Sequence, residues 1–583
     1  MQQAIDRRQF MLTSAALAGA FLVDGKGQTE PDPQGQICPK SRPPAKTVFA
    51  TNLGELTSYP WDWRLTLSCL QGVVNRSQPC LYLIHDRYDE LWLDWMVKRG
   101  DVEKVQWLEV AEVFERFLPK VSRMYVTDPE IPATVNVATM LAGLNSGLVV
   151  TPAVAASFDL PTGGYPDLAS DGLDLRTMHW KKDADAYRWA FGQFGDQLSR
   201  QAVAVVDPQE VAARDYLIEF KIPILWVSGL LDVPKNPQAS PEEEKVFSRE
   251  ILMKWPPNIP CFGWPGTDPQ TPGIGEDGGV DLASECAKFW ICTTYDGYSP
   301  TVGNISVHSG TTATFRQPIP PVKLQRDKVY FAFVRTDGDG MNFIRHYYRV
   351  LFDDPVHGEV PMGWQLGPAS TDLIPDIVDY YYKRARPGDC FNNALTGAGY
   401  IHEAKYAENY PAEQRRRIRE DFVKLSSLYR QRIDASVLNT YAEMSPGLLE
   451  SFAGMSGVQG VFANYIRTHE TTLDNIASEV GGKPVFRAVN GRANWLFRNL
   501  TYTSESRRQT EAFMIGEIKR WTPRPRPAFL YVSLANWLRR MDMAVNIAKG
   551  LGPEYIAVRP DQLVSLYRQS QAGEGQSDYK EKS

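Results

Sequence analysis

"VYFAFVRTDGDG", residues 329–340, decides the fold: an apolar, aromatic-rich run with the composition of a buried strand stops abruptly in Asp337-Gly338-Asp339-Gly340. Downstream, the same kind of segment recurs at 362–366, 390–395, 436–440, 459–463, 484–489, 528–533 and 555–558. Helical patterns separate several of them. "AEQRRRIREDFVKLSSLYRQRI" is amphipathic, with Ile418, Phe422, Leu425 and Leu428 on one face, and "MDMAVNIAKGLG" ends on a glycine stop. Eight strands alternating with helices over residues 323–570 predict a C-terminal (β/α)8 TIM-like barrel, with a doubly wound sheet as the competing layout.

In either layout ligands bind at the C-terminal edge of the strands, and the residues found there are carboxylates, amides and aromatics. The first strand delivers Asp337 and Asp339, the second Trp364, the third Tyr400, His402 and Glu403 within "NNALTGAGYIHE", and the fourth Tyr441 and Glu443. Asn464, Asn490, Asn536 and Trp537 follow the fifth, sixth and seventh. Such a rim suits a carbohydrate, because carboxylates and amides hydrogen-bond hydroxyls and aromatic faces stack on sugar rings. Trp364, Tyr400, His402, Asn464, Asn490, Asn536 and Trp537 are therefore the substrate-binding candidates.

Asp337 and Asp339 are the catalytic candidates. Residues i and i+2 of a strand share a side, and Gly338 and Gly340 permit a tight turn, so both carboxylates project over the rim. Two carboxylates so close do not ionise independently, and the one whose pKa rises is kept as an acid near neutral pH. Glycoside hydrolysis needs such an acid and a second carboxylate about 5 Å away for retention, or up to about 9.5 Å for inversion. Glu443 and Glu403 are the candidate partners. An EF-hand is excluded, since counting from Asp337 the fifth position is Met341 and the twelfth Tyr348.

Other chemistry finds less support. With 7 His and no H-x-x-x-H or H-E-x-x-H spacing, no metal site and no cofactor is expected, although Asp337 or Asp339 with His402 leaves a metal-dependent carbohydrate deacetylase as the alternative enzyme. There is no phosphate loop, no complete dinucleotide fingerprint and no G-x-S-x-G elbow. The 7 cysteines are scattered without a C-x-x-C pair and read as buried thiols. A net charge of −6 without long single-sign blocks gives no footprint for nucleic acid, and no run after the N-terminus is long enough for a membrane span.

Arg7 and Arg8 precede "QFMLTSAALAGAFLV", so residues 1–22 read as a twin-arginine-like signal peptide and the protein as exported, periplasmic or secreted. Residues 23–45 read as a linker, 46–322 as an N-terminal α/β domain and 571–583 as a disordered tail. Asn75-Arg76, in the first domain, is either part of a cleft or a helix terminus.

"LQGVVNRSQPCLYL" (70–83), "RTDGDG" (335–340), "MGWQLGPASTDLIPDIVDYYY" (362–382) and "LTGAGYIHEAKY" (395–406) together resemble the bacterial GxGYxYP family, a two-domain group described as glycoside hydrolases. The resemblance implies an N-terminal α/β domain, a C-terminal barrel-like domain and carbohydrate hydrolysis. It maps Asp337 and Asp339 onto the family's Asp-Gly-Asp-Asn, and Gly397, Gly399 and Tyr400 onto its naming motif. Gly340 stands where the family has Asn, and Ile401-His402-Glu403 replaces its x-Tyr-Pro; these departures leave a non-catalytic glycan-binding protein as the non-enzymatic alternative.

Overall fold

A computed structural model describes residues 36–53, 61–158, 172–230, 232, 235–266, 273–293, 302–441, 446–463, 471–490, 504–535 and 540–574. Residues 1–35, which include the stretch read as a signal peptide and the first part of that read as a linker, and residues 575–583 lie outside them. Among the described residues four sheets form in chain order. β1 (Thr47–Asn52), β2 (Leu81–Ile84) and β3 (Lys104–Trp107) pair in parallel as β2-β1-β3. β4 (Arg123–Val126), β5 (Gly147–Val150) and β6 (Leu173–Asp174) pair in parallel as β5-β4-β6. The third sheet, order β10-β9-β7-β8, is built from β7 (Val203–Val205), β8 (Ile224–Leu225), β9 (Ile259–Gly263) and β10 (Lys288–Cys292). Its chain leaves β7 to one side and returns to the other, so a topological switch point lies between β7 and β9.

Helix Trp61–Asn75 is buried from Leu65 to Asn75, and Gly72 lets it meet helix Arg214–Glu219, because a Cβ there would lie 2.5 Å from the Asp215 carbonyl oxygen. Asn75 and Arg76 are its terminus: Asn75 donates to Leu81 O and Ser306 Oγ, and Arg76 to Gly143 O and Ile218 O.

The fourth sheet carries the sequence's decisive stretch. β11 (Val329–Arg335) is buried at all seven positions, as a strand covered on both faces must be. It is followed by β12 (Met362–Leu366), β13 (Asp389–Asn393), β14 (Val437–Asn439), β15 (Gly460–Ala463), β16 (Ala477–Val480), β17 (Lys483–Arg487), β18 (Ala528–Leu534) and β19 (Tyr555–Ala557). Each of the eight segments expected from sequence is present, and β16, antiparallel to β17 across the Gly481-Gly482 turn, is additional.

The pairing is β16-β17-β15-β14-β13-β12-β11-β18, which is not the order of an eight-stave barrel. β18 occupies one edge of β11 along its full length, and the other edge is divided: Val329–Phe331 pair with β19, Val334 and Arg335 with β12. The short β19 thus has no stave position of its own. At the far side Ala488, just beyond β17, makes a parallel bridge to Tyr531 of β18, and Val489 N donates to Tyr531 O at 3.0 Å.

Residues 37–45 correct the linker boundary, since they lie against the body rather than spanning a gap. Ser41 Oγ donates to Glu219 Oε2 at 2.7 Å, Tyr216 Oη donates to Pro39 O at 2.5 Å, and Cys38 is fully buried. At the other end helix Pro560–Glu574 runs past residue 570. Helix Ala412–Arg432 buries Ile418 and Phe422 as expected, with Ser426 and Tyr429 completing the stripe while Leu425 and Leu428 are half-buried. All seven cysteines are free thiols. Among the described residues no helix is long and apolar enough to cross a membrane.

One buried ion pair ties the early chain to the turn after β11. Arg345, in the π-helix Phe343–Tyr347, pairs with Asp89 on helix Arg87–Arg99, their side chains 3% and 0% exposed. Asp89 also accepts from His85 N and Asn304 Nδ2, and Trp92 Nε1 donates to Arg345 O at 3.0 Å.

Candidate active site

The strand ends at Arg335, so Asp337 and Asp339 are placed by a turn and not by strand alternation. Asp337 holds φ +62°, a left-handed conformation that is uncommon outside glycine and concentrates at functional sites. Gly340 N donates to Asp337 O at 3.1 Å and Gly367 N to Gly338 O at 2.7 Å, which fastens the turn to the end of β12. Gly338 has no alternative there: a Cβ would overlap the Gln365 carbonyl oxygen. The Phe343–Tyr347 π-helix follows at once, an arrangement frequent beside functional sites.

Asp339 is half-buried, and its carboxyl is pushed up to about 7, chiefly by burial, then by Asp337 and by Glu276. Thr336 Oγ1 donates to Asp337 Oδ2. Of the pair expected from sequence, Asp339 is therefore a group that keeps a proton near neutrality.

Glu276 approaches from the third sheet. It opens helix Glu276–Glu285, after Gly275 at φ +85°, and accepts from Tyr400 Oη at 2.9 Å. Tyr400 is buried, stacked on Trp264 at 6.3 Å, and its ring lies 5.0 Å from that of Tyr441. Burial and then Glu276 raise the Tyr441 phenol, with Asp277 and Asp337 contributing further. Through Tyr400 N and O, which exchange hydrogen bonds with Trp290 at 3.0 and 2.8 Å, the Gly397-Ala398-Gly399-Tyr400 loop is bridged to β10. Gly399 permits that approach, because a Cβ would fall 2.6 Å from the Phe289 ring.

These contacts correct the roles expected of two residues. Tyr400 packs edge and face into the protein and commits its hydroxyl to Glu276, so it offers no platform to a sugar. His402 has Nδ1 2.8 Å from Asp281 Oδ1 and Nε2 3.4 Å from Tyr400 Oη, and stacks on Tyr441; it braces the loop. Glu403 is 4% exposed, pushed up to about 7 by burial, and accepts from Thr396 Oγ1 at 3.0 Å.

Trp364 is likewise not at the rim. It is 0% exposed, donates from Nε1 to Asp389 Oδ1 at 2.8 Å, and packs between Tyr348 and Phe352. Strand parity explains this, since Trp364 and Gln365 face opposite sides of β12. Trp364→Phe is expected to cost about 1–3 kcal/mol by removing a buried hydrogen bond to the Asp389 carboxylate, which keeps His357 and Arg386 N as partners, read from urea unfolding, with kcat/KM per folded molecule unchanged.

The other side of the same strands carries amides. Gln365, Asn392 and Asn439, each 0% exposed, end β12, β13 and β14. Both side-chain polar atoms of Gln365, and Asn392 Nδ2, lack a hydrogen-bond partner among the described residues, while the Tyr531 hydroxyl is directed at Asn439 and Ser533. Gly363 leaves the space, as a Cβ there would lie 3.1 Å from Asn392 Nδ2. Asn490 behaves differently from expectation: its side chain donates to Ser533 O at 2.7 Å and accepts from Ser533 N at 2.9 Å, clamping the chain after β17 to β18.

Glu443, Asn464, Asn536 and Trp537 lie outside the described residues. Among the described residues no group of three or more His, Cys, Asp or Glu is arranged to hold a metal ion. Sequence reading missed Glu276, which sits in a Pro- and Gly-rich stretch that signals only a break in pattern. It also passed over Asn439 and Asn392, whose parity with Gln365 was the available clue.

Three stretches match one family. Residues 48–117 match its first domain, 200–310 its third domain, and 327–568 the "GxGYxYP putative glycoside hydrolase C-terminal domain". Among solved structures, a "putative hydrolase" from Bacteroides thetaiotaomicron is 19% identical over 94% of this chain and 98% of that one, with a TM-score of 0.75, a likeness of fold. A "putative polysaccharide deacetylase" from Mycobacterium smegmatis is 10% identical over 44% of this chain and 96% of that one, with a TM-score of 0.29. No curated protein matches. With matches in the same order along the first, third and C-terminal domains, this chain belongs to the GxGYxYP family.

Proposed function

We propose that this protein is an exported glycoside hydrolase in which Asp339 is the general acid. The observation that carries the proposal is the half-buried Asp339 carboxyl, pushed up to about 7 on a turn whose Gly338 has no space for a side chain. Its proton passes to the bridging glycosidic oxygen as the anomeric C–O bond breaks, the electron pair leaving with that oxygen. Water adds at the anomeric carbon, its proton is taken by a second carboxylate, and exchange with solvent restores both groups. Asp337 keeps its neighbour protonated.

The buried amides of Gln365 and Asn392 support a hydroxyl-rich ligand, since each carries unmet hydrogen-bonding capacity among the described residues that water or a sugar satisfies. The Ala488–Tyr531 bridge supports a further reading of the fold, in which the fourth sheet curls into a ring of seven staves, β11 to β15 with β17 and β18, with the Asp337–Gly340 turn at its C-terminal mouth.

The test is product release by the signal-free chain from plant and bacterial polysaccharides and aryl glycosides, with and without chelator. New reducing ends, indifferent to chelator, are the expected result. Chelator-sensitive acetate release would replace the reading with a deacetylase, and binding without any product would replace it with a glycan-binding protein. On a substrate so found, kcat/KM is expected to fall about tenfold per pH unit above about 7, because the acid is then ionised. A rate constant flat to pH 9 would remove Asp339 from the role.

A further inference from the structure

A general acid needs a second carboxylate, and the expected partners fare poorly. Asp337 shares the acid's own turn, two residues away, so it stands beside the acid and not across a substrate from it. Glu403 is buried against Thr396 and pushed up to about 7, which makes it largely uncharged at the pH where Asp339 is an acid. A carboxylate that accepts a proton from water or attacks an anomeric carbon must be ionised.

Glu276 is placed to carry such a charge. It stands in the first turn of a ten-residue helix, where the macrodipole favours a negative charge, and it is half-exposed. Tyr400 Oη fixes its Oε1 at 2.9 Å, and the Tyr400 ring is in turn held by Trp264 on one side and Tyr441 on the other. Tyr400 and Tyr441, whose rings lie 5.0 Å apart, follow β13 and β14, so the hydrogen bond from Tyr400 brings Glu276 to the same C-terminal edge of the fourth sheet from which the β11 turn projects, and its charge is among the causes that raise Asp339. It reaches that position from the loop after β9, at the edge of the third sheet where a switch point lies.

We propose that Glu276 is the second carboxylate of the reaction, so that the reacting centre is assembled across two sheets, with the Gly397–Tyr400 loop as the brace that sets the distance between them. This rests on the hydrolase reading above. The acid comes from the fourth sheet, and the base or nucleophile comes from the helix that leads into β10. It also gives the family's tyrosine a function: Tyr400 is a positioning residue for Glu276, and its main-chain bridge to Trp290 keeps the two halves in register.

The experiment uses the full signal-free chain and any aryl glycoside that the wild type turns over. Glu276→Ala is expected to lower kcat/KM about 10²-fold, and sodium azide to restore turnover with a glycosyl azide as product, because the small anion occupies the space of the missing carboxylate. Tyr400→Phe is expected to lower the rate less, without response to azide. Failure of azide to rescue Glu276→Ala, or rescue of Asp337→Ala or Glu403→Ala instead, would overturn the assignment.

A second readout needs no substrate. In protein carrying carbon-13 aspartate, the Asp339 carboxyl signal, identified by its loss in Asp339→Asn, is expected to titrate at lower pH in Glu276→Gln than in wild type, because a negative neighbour has gone. An unchanged midpoint would overturn the proposal. If the wild type cleaves no glycoside the hydrolase reading fails by itself, and the titration still decides whether Glu276 faces Asp339.

Discussion

Asp339→Asn is expected to lower kcat by about 10³-fold at neutral pH, within the range of general-acid contributions, while leaving the protein folded. Asparagine has nearly the shape of the protonated carboxyl and the same lack of charge, so the turn between Gly338 and Gly340 has no reason to move. The stability consequence has a definite sign. A carboxyl whose folded pKa is raised from 3.8 to about 7 favours the folded state while protonated, and loses that favour as pH rises from the unfolded value through about 7. The Asn variant has no such loss. Above pH 7 it is therefore expected to melt at a higher temperature than wild type, and at pH 4 at about the same temperature. Loss of activity with gain of stability at alkaline pH separates removal of an acid from damage to the site; a lower melting temperature at pH 8 would indicate damage.

Arg345→Met is the change expected to cost most in stability, about 3–5 kcal/mol, because it leaves Asp89 charged and buried without its partner. Asp89 is 0% exposed and retains only His85 N and Asn304 Nδ2 as described donors. Replacing both members, Asp89→Leu with Arg345→Met, is expected to recover part of the loss, since the uncompensated buried charge is gone while His85 N and Asn304 Nδ2 lose an acceptor. Urea unfolding of the two variants measures this. Equal losses in the single and double variants would show that the packing of the Phe343–Tyr347 π-helix on Trp92, rather than charge, holds the early chain to the β11 turn.

Much of this was legible in the residues. The fourth-sheet strands were placed closely because apolar runs such as Val329–Val334 and Phe529–Val532 end in glycine, proline or polar residues, and buried parallel strands leave that signature. Even the overlooked β16 had its mark in Gly481-Gly482, both at positive φ, which is a hairpin turn. Strand order was not legible. Nothing in Tyr555–Ala557 says that it shares an edge of β11 with β12, since both compete for the same kind of partner. Site residues failed for a related reason: Trp364 and Gln365 are neighbours in sequence, and only their parity decides which one meets the core. Glu276 enters from another sheet altogether, through contacts whose separation along the chain, 124 residues to Tyr400, no local pattern encodes.

The most direct measurement is the rate of Asp339→Asn relative to wild type across aryl glycosides of increasing leaving-group pKa. If Asp339 protonates the departing oxygen, the deficit should be small for dinitrophenyl glycosides, which leave unaided, and should widen steadily towards phenyl and alkyl glycosides. A deficit of the same size for every leaving group, or none at all, would contradict the assignment of Asp339 as the acid and the function built on it.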